Sequence, residues 1–268
     1  MANNSPIGVF DSGIGGLTVV KELMQLLPGE DLVYFGDTAR VPYGSRPPEE
    51  IKRFLDEILC FLSSQKIKMA VVACNAMTSV GLEEAREKYA FPMVGVNRGF
   101  DRAIKLSKSK RIGVIATVAT INSGLHRKAI SEREPNATVY PVACPKFVPL
   151  IEKGLLYGPQ LAEAALEYLS PLKEAGVDVL ILACTHYPFI TEMLACSMGE
   201  GVKIIDPARE TAVDTLEALT KSNQLAEREH GTIKLCFSAG LEQARQMAEQ
   251  LFDVEIVQFK LVNLQDFT

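Results

Sequence analysis

The chain has 268 residues, and its 28 Lys and Arg against 33 Asp and Glu give a net charge of −5. Apolar residues at 47% and charged residues at 23% are close to the soluble globular average, which excludes a disordered or collagen-like chain. No basic stripe is present for nucleic acid. The longest apolar runs, Met69–Cys74 and Val179–Cys184, are six residues each, far short of a membrane span. The length suits two domains of ordinary size.

The opening Met-Ala-Asn-Asn-Ser-Pro carries neither a basic stretch nor an apolar signal core, so a cytoplasmic protein is expected. Alternation of apolar segments then sets out the elements in order. Pro6–Asp11 reads as a strand, and Leu17, Val20, Leu23, Met24 and Leu27 follow helical spacing. Leu32–Gly36 is the next strand. Ile51, Phe54, Leu55, Ile58, Leu59 and Leu62 form a helical stripe whose charged start, Glu49–Arg53, faces water. Strands Met69–Cys74 and Met93–Val96 flank a helix over Gly81–Tyr89. The pattern restarts with a strand over Arg111–Ala116, a helix near Asn122–Arg133 and a strand over Thr138–Val142. A helix over Leu161–Leu172 and strands over Val177–Cys184 and Val202–Ile205 follow. The tail adds a helix near Thr211–Leu219, a strand over Thr232–Phe237, a helix over Leu241–Leu251 and a strand over Val254–Phe259. Alternating strands and helices predict an α/β protein with largely parallel sheets covered on both faces.

An internal duplication runs through this pattern. Ile7–Ser12 resembles Ile112–Thr117, 105 residues later, and Met69–Asn75 resembles Val179–Thr185, 110 residues later. Val94–Val96 matches Ile204–Asp206 at the same 110-residue spacing. Two similar α/β lobes are expected, one over residues 1–97 and the other over 98–207, with 208–268 returning to the first.

The duplication selects two of the six cysteines at positions 60, 74, 144, 184, 196 and 236. No Cys-x-x-Cys occurs and only three histidines are present, so no zinc site of the usual spacing exists. In a reducing compartment the cysteines are free thiols. Cys60, Cys144, Cys196 and Cys236 have no repeated partner and read as buried small hydrophobes. Cys74 and Cys184 occupy one place in the two repeats, each ending a strand. Ligands of open parallel sheets bind beyond strand carboxyl ends. Two lobes facing each other about a pseudo-twofold axis would set both thiols on one cleft. Two equivalent acid/base groups suit a racemase that removes a proton from one face of a carbon and returns one to the other.

Polar residues collect at the same strand ends. Asp11 and Ser12 correspond to Ala116 and Thr117; Asn75 follows Cys74, while Thr185 and His186 follow Cys184. Asp11 suits either an acid/base role or the capping of the next helix. Gly13, Gly15 and Gly16 make a strand-to-helix turn whose N–H groups favour an anion. The string is neither Gly-x-Gly-x-x-Gly nor a P-loop, which argues against a nucleotide. His126 and His230 lie in polar contexts and read as surface residues.

The strings Gly8–Val19, Tyr34–Gly44 and Leu182–Pro188 resemble the glutamate racemases, of the cofactor-independent aspartate/glutamate racemase superfamily. Weaker likeness at Ala119–Gly124 and Pro149–Gly154 extends this over nearly the whole chain. The resemblance implies two flavodoxin-like lobes with the active site between them, and Cys74 and Cys184 as catalytic acid/bases. It implies Asp11 assisting Cys74, and His186 with Glu152 assisting Cys184. Substrate would be held by Asp11, Ser12, Tyr43, Gly44, Asn75, Ala76, Thr117, Thr120, Thr185 and His186. It implies glutamate as substrate, D-glutamate for peptidoglycan as product, no pyridoxal phosphate or metal, and a homodimer. The alternatives are a racemase of aspartate or another amino acid, and a non-catalytic binding relative. The chain departs from the family at Ala76, where a threonine hydroxyl is usual, at the bulkier Met77, and at Asn97-Arg98-Gly99. Thr78 or a water is expected to replace the missing hydroxyl.

Overall fold

The apolar segments form two all-parallel sheets. The structure is a computed structural model and describes residues 3–253 and 257–267. Its strands in chain order are β1 (Ile7–Asp11), β2 (Leu32–Gly36), β3 (Met69–Val72), β4 (Met93–Gly95), β5 (Arg111–Ala116), β6 (Thr138–Ala143), β7 (Val179–Ala183), β8 (Lys203–Ile205), β9 (Ile233–Phe237) and β10 (Val257–Leu261). The chain divides into two compact units, Met1–Asn97 with Ala208–Thr268, and Arg98–Pro207. The first unit's sheet has the order β10-β9-β2-β1-β3-β4, and the second β6-β5-β7-β8. No helix among the described residues is long and apolar enough to cross a membrane.

The duplication is visible in this topology. β2-β1-β3-β4 and β6-β5-β7-β8 share one order. Ile7 sits opposite Met69 just as Ile112 sits opposite Val179. The third sequence match is one residue out, because Ala70 pairs with Met93 whereas Leu180 pairs with Ile204. β9 and β10 have no counterpart and extend the first sheet beyond β2.

Burial explains why these residues form strands. β1, β2, β3 and β7 are buried at every position, as expected for strands covered on both faces. In the second unit Ile112, Val114 and Ala116 pack with Val179, Ile181, Ala183 and Ile205 against Ala103 and Ile130. In the first, the helix Pro48–Ser64 buries the predicted stripe and Phe61 as well.

Four helices escape the periodicity: Asn75–Val80, Phe100–Leu106, Phe147–Glu152 and Thr191–Met198. None exceeds eight residues, too short for a 3.6-residue repeat to declare itself. The helix expected near Asn122–Arg133 is two, Val118–Asn122 and Leu125–Arg133, separated at Gly124 with φ +65°. The strand expected over Val254–Phe259 begins at positions 254–256, which lie outside the described residues; its continuation pairs with β9 as far as Leu261.

A buried ion pair ties four distant segments of the first unit. Lys68 Nζ lies 2.6 Å from Glu30 Oε2, and neither side chain is more than 2% exposed. The ammonium also donates to the carbonyls of Asn3 at 2.6 Å and Gln224 at 2.7 Å. Glu30 Oε1 accepts the Ala226 N–H at 2.8 Å. Removing one partner strands a buried charge, at a cost of about 3–5 kcal/mol. Lys68→Met is expected to lose that much in urea denaturation. Adding Glu30→Leu is expected to restore part of it, since the orphaned carboxylate is then gone.

Candidate active site

Both sheets release polar residues at the carboxyl ends of their inner strands. In the first unit Asp11 ends β1 and is fully buried. Its Oδ2 accepts the Gly16 N–H at 2.7 Å, and its Oδ1 accepts the Ser12 hydroxyl at 3.4 Å. The glycine turn therefore presents the Gly16 N–H to the chain's own carboxylate. Asp11 holds the start of the helix Leu17–Leu26, which was one of its two sequence readings, and also faces Ser12. A Cβ on Gly16 would stand 2.8 Å from Asp11 Cβ and 2.9 Å from Tyr34 Cε2, so only glycine fits. Tyr34 donates to the Gly13 carbonyl at 2.6 Å and braces the turn from β2.

Cys74 follows β3 with extended backbone and serves as N-cap of the helix Asn75–Val80. Its Sγ lies 3.9 Å from Ser12 Oγ. Two contacts thus connect thiol, Ser12 hydroxyl and Asp11 carboxylate. Asn75 and Ala76 are buried beside it at the helix start. Thr78 does not stand in for the hydroxyl missing at Ala76. It donates to the Val72 carbonyl at 3.2 Å and accepts the Val96 N–H at 3.3 Å, so its proton already closes the ends of β3 and β4.

Tyr43 is 1% exposed, followed by the buried Gly44. Its hydroxyl donates to Asp37 Oδ2. Burial, then the Asp37 charge, push the phenol well up, with Cys74 adding to the effect. Asp37 also binds Arg40 and accepts the Ser238 hydroxyl at 2.8 Å. Sequence reasoning passed over Asp37 as a candidate. It follows β2 just as Ser12 follows β1, and that position was the signal.

In the second unit Cys184 follows β7 and is 5% exposed. Its Sγ lies 3.9 Å from His186 Nδ1, and His186 Nε2 lies 2.5 Å from Glu152 Oε1. Glu152 ends the short helix Phe147–Glu152. Burial alone would drive His186 down, but the contacts with Cys184 and Glu152 outweigh it and hold the imidazolium well above the ordinary histidine value. Thr117 caps the helix Val118–Asn122, and its hydroxyl meets Thr120 Oγ1 at 3.2 Å. Thr185 is buried beside Cys184. Tyr187 is a further residue that the sequence reading missed. It is fully buried, donates to the Cys144 carbonyl at 3.3 Å and packs edge-on against Phe147.

The candidates thus gather in two groups, Asp11, Ser12, Tyr43, Gly44, Cys74, Asn75 and Ala76 in one unit, and Thr117, Thr120, Glu152, Cys184, Thr185 and His186 in the other. Among the described residues no cluster of three or more His, Cys, Asp and Glu side chains is placed to hold a metal. All six cysteines are free thiols. Cys144 and Cys236 are buried, and burial pushes Cys236 up to about 11. Cys196 corrects its reading, because it is exposed. The helix Thr191–Met198 buries Leu194 and Met198, four apart, and position 196 falls on the opposite side. Cys60 is only half-buried, 3.5 Å from Tyr89 Oη. His126 corrects its surface reading too, at 4% exposure. It stands one turn before Ile130 in the helix Leu125–Arg133 and shares that residue's buried face. His230 is exposed as expected.

Removing the Glu152 charge leaves burial acting on His186 with less opposition. In Glu152→Gln the imidazole is expected to titrate at lower pH than in the unsubstituted protein, as followed by NMR of the side-chain resonances. The sign for stability follows from a raised folded-state pKa. The His186–Glu152 contribution is full below about 6.5, the unfolded value, and is lost as pH rises through the folded one. The destabilisation by Glu152→Gln is therefore expected to be largest at acidic to neutral pH and to shrink in alkaline solution.

A family model described as Asp/Glu/Hydantoin racemase matches residues 7–215. A glutamate racemase of Thermoanaerobacter pseudethanolicus is 42% identical over 265 residues, covering 99% of this chain and 100% of that protein. The crystal structure of a glutamate racemase isoform from Bacillus anthracis superposes with a TM-score of 0.90 at 35% identity, covering 98% of each chain. That of the Francisella tularensis glutamate racemase, in complex with D-glutamate, gives 0.87 at 36% identity, covering 98% of this chain and 99% of that one.

Proposed function

The chain belongs to the Asp/Glu/Hydantoin racemase family, and on that premise we propose that it interconverts L- and D-glutamate by a two-thiol mechanism. The observation that carries the mechanism is the equivalence of Cys74 and Cys184. Each thiol lies just past the third strand of its repeat, and each is connected through one side chain to a carboxylate, the buried Asp11 in one case and the partly buried Glu152 in the other.

The α-proton of an amino acid is far less acidic than a thiol of pKa about 8.5, so the carbanion needs help as it forms. One cysteine, as thiolate, takes the α-proton. The other, as thiol, gives its own proton to the opposite face of the same carbon. Negative charge moves onto the substrate carboxylate, where fixed donors in a dry pocket stabilise it best. Asn75, Thr117, Thr120 and Thr185 supply such donors in this reading, and Ser12, Tyr43 and Gly44 hold the distal carboxylate. After turnover the thiols have exchanged protonation states. Asp11 through Ser12, and Glu152 through His186, restore them. An imidazolium at 3.9 Å from Cys184 stabilises charge on sulfur as the proton leaves.

D-glutamate serves peptidoglycan synthesis in this reading. The enzyme works in the cytoplasm, where its six thiols stay reduced, as a homodimer.

Racemisation of a panel of amino acids, followed by circular dichroism, tests the assignment, and glutamate is expected to turn over fastest. In heavy water, the enantiomer formed is expected to carry solvent deuterium from the first turnovers while the starting enantiomer stays unlabelled. Equal early labelling of both would mean one shared base. Cys74→Ser and Cys184→Ser, nearly isosteric but far weaker acids, are each expected to abolish measurable racemisation without unfolding the protein.

Ala76 bears on the substrate. A hydrogen bond to a charged group contributes about 1.5–3 kcal/mol, equivalent to about 10- to 150-fold in rate or affinity. With water filling the place of the missing hydroxyl, Ala76→Thr is expected to change kcat/KM for glutamate by less than about tenfold and to leave glutamate preferred over aspartate. A hundredfold gain from an almost inert starting protein would assign the natural substrate elsewhere.

A further inference from the structure

His126 is 4% exposed, and neither ring nitrogen has a hydrogen-bond partner. Buried polar groups are almost always paired, so an imidazole with two idle nitrogens is a costly feature to keep. It lines a cavity of about 190 Å³ in the second unit, together with Thr120, Ile121, Gly124, Arg127 and Pro141. Burial, then the nearby Arg98 charge, push His126 down to about 4, so the cavity presents a neutral ring with one donor and one acceptor.

The surroundings favour an anion. The cavity meets the first turn of the helix Leu125–Arg133, nine residues long, whose N-cap is Gly124 with no side-chain cap. The Leu125 N–H reaches Ser123 Oγ at 3.4 Å, while those of His126 and Arg127 in the same first turn have no intrahelical acceptor, and the helix dipole adds positive potential there. Arg127 stands exposed at the rim, and no lining residue is acidic. Ile121 and Pro141 supply apolar wall. A cavity near 150 Å³ holds a benzene-sized body, which bounds the ligand at one ring or a short branched chain.

We propose that this cavity binds a small monocarboxylate, with its carboxylate at the helix start beside the His126 imidazole and Arg127, and its apolar body against Ile121 and Pro141. The proposal is independent of the racemase reading, although Thr120 belongs both to this cavity and to the candidate active site.

Benzoate is a suitable probe. The chain has three histidines, His126, His186 and His230, so imidazole carbon–proton resonances report each place separately. On titration into the full-length protein at pH 7, the His126 signals are expected to shift and saturate while those of His230 stay fixed. His126→Phe keeps an aromatic ring in the space and is expected to weaken benzoate binding by calorimetry at least tenfold, as loss of a hydrogen bond to a charge implies. Arg127→Ala, an exposed position that does not endanger the fold, is expected to weaken it as well. His126 signals unmoved at tens of millimolar benzoate would make this a water pocket and overturn the proposal. A shift confined to His186 would place the acid in the catalytic group instead, and would equally overturn it.

Discussion

The register between the two inner strands of each sheet is the constraint on which the site depends. With Ile7 opposite Met69, Phe10 comes to lie opposite Val72, and the Ala73 N–H reaches the Phe10 carbonyl at 2.9 Å. Asp11, Ser12 and Cys74 then leave the sheet side by side. The same register sets Ala116 opposite Ala183, so Thr117 and Cys184 emerge as neighbours. A slip of one residue would send every side chain of the strand to the other face and carry the thiol away from its partners. Full burial of β1, β3 and β7 makes such a slip expensive.

One frame therefore carries two different side-chain networks. In the first unit the carboxylate comes from the strand itself, because β1 ends in Asp11, and a serine hydroxyl connects it to the thiol. In the second, β5 ends in Ala116, and the carboxylate is supplied by Glu152, 34 residues before His186 in the chain. An imidazole spans the longer gap. The two networks differ in charge: contacts hold a buried imidazolium in the second unit, and in the first a hydroxyl meets a carboxylate anchored at Gly16. The proposed two-thiol reaction calls for opposite protonation states at the two cysteines, and unlike networks on like strands suit that proposal.

Much of this was legible in the residues. Each of the ten strands overlaps a segment placed by its apolar residues, and the duplicated Ala-Cys-polar endings singled out two thiols from six. Short helices were not legible. Asn75–Val80 and Phe147–Glu152 have no room for a hydrophobic period, and their existence follows from what packs on them. His126 was misread for a related reason. Its neighbours Arg127 and Lys128 are exposed, and only the break at Gly124 sets the helix phase that turns His126 inward.

The sequence by itself determined the α/β class, the repeat, the two thiols and the polar residues that follow each strand, because strand burial and strand-end chemistry are local and periodic. Tertiary structure alone decided that Ser12 stands between Asp11 and Cys74, that Asp37 rather than solvent holds Tyr43, and that Thr78 is committed to the ends of β3 and β4. It also decided that two nitrogens of His126 are buried without partners. Each of these depends on how residues apart in the chain or on different elements pack together. Direction and distance across such a gap are set by packing in three dimensions, and no linear spacing encodes them.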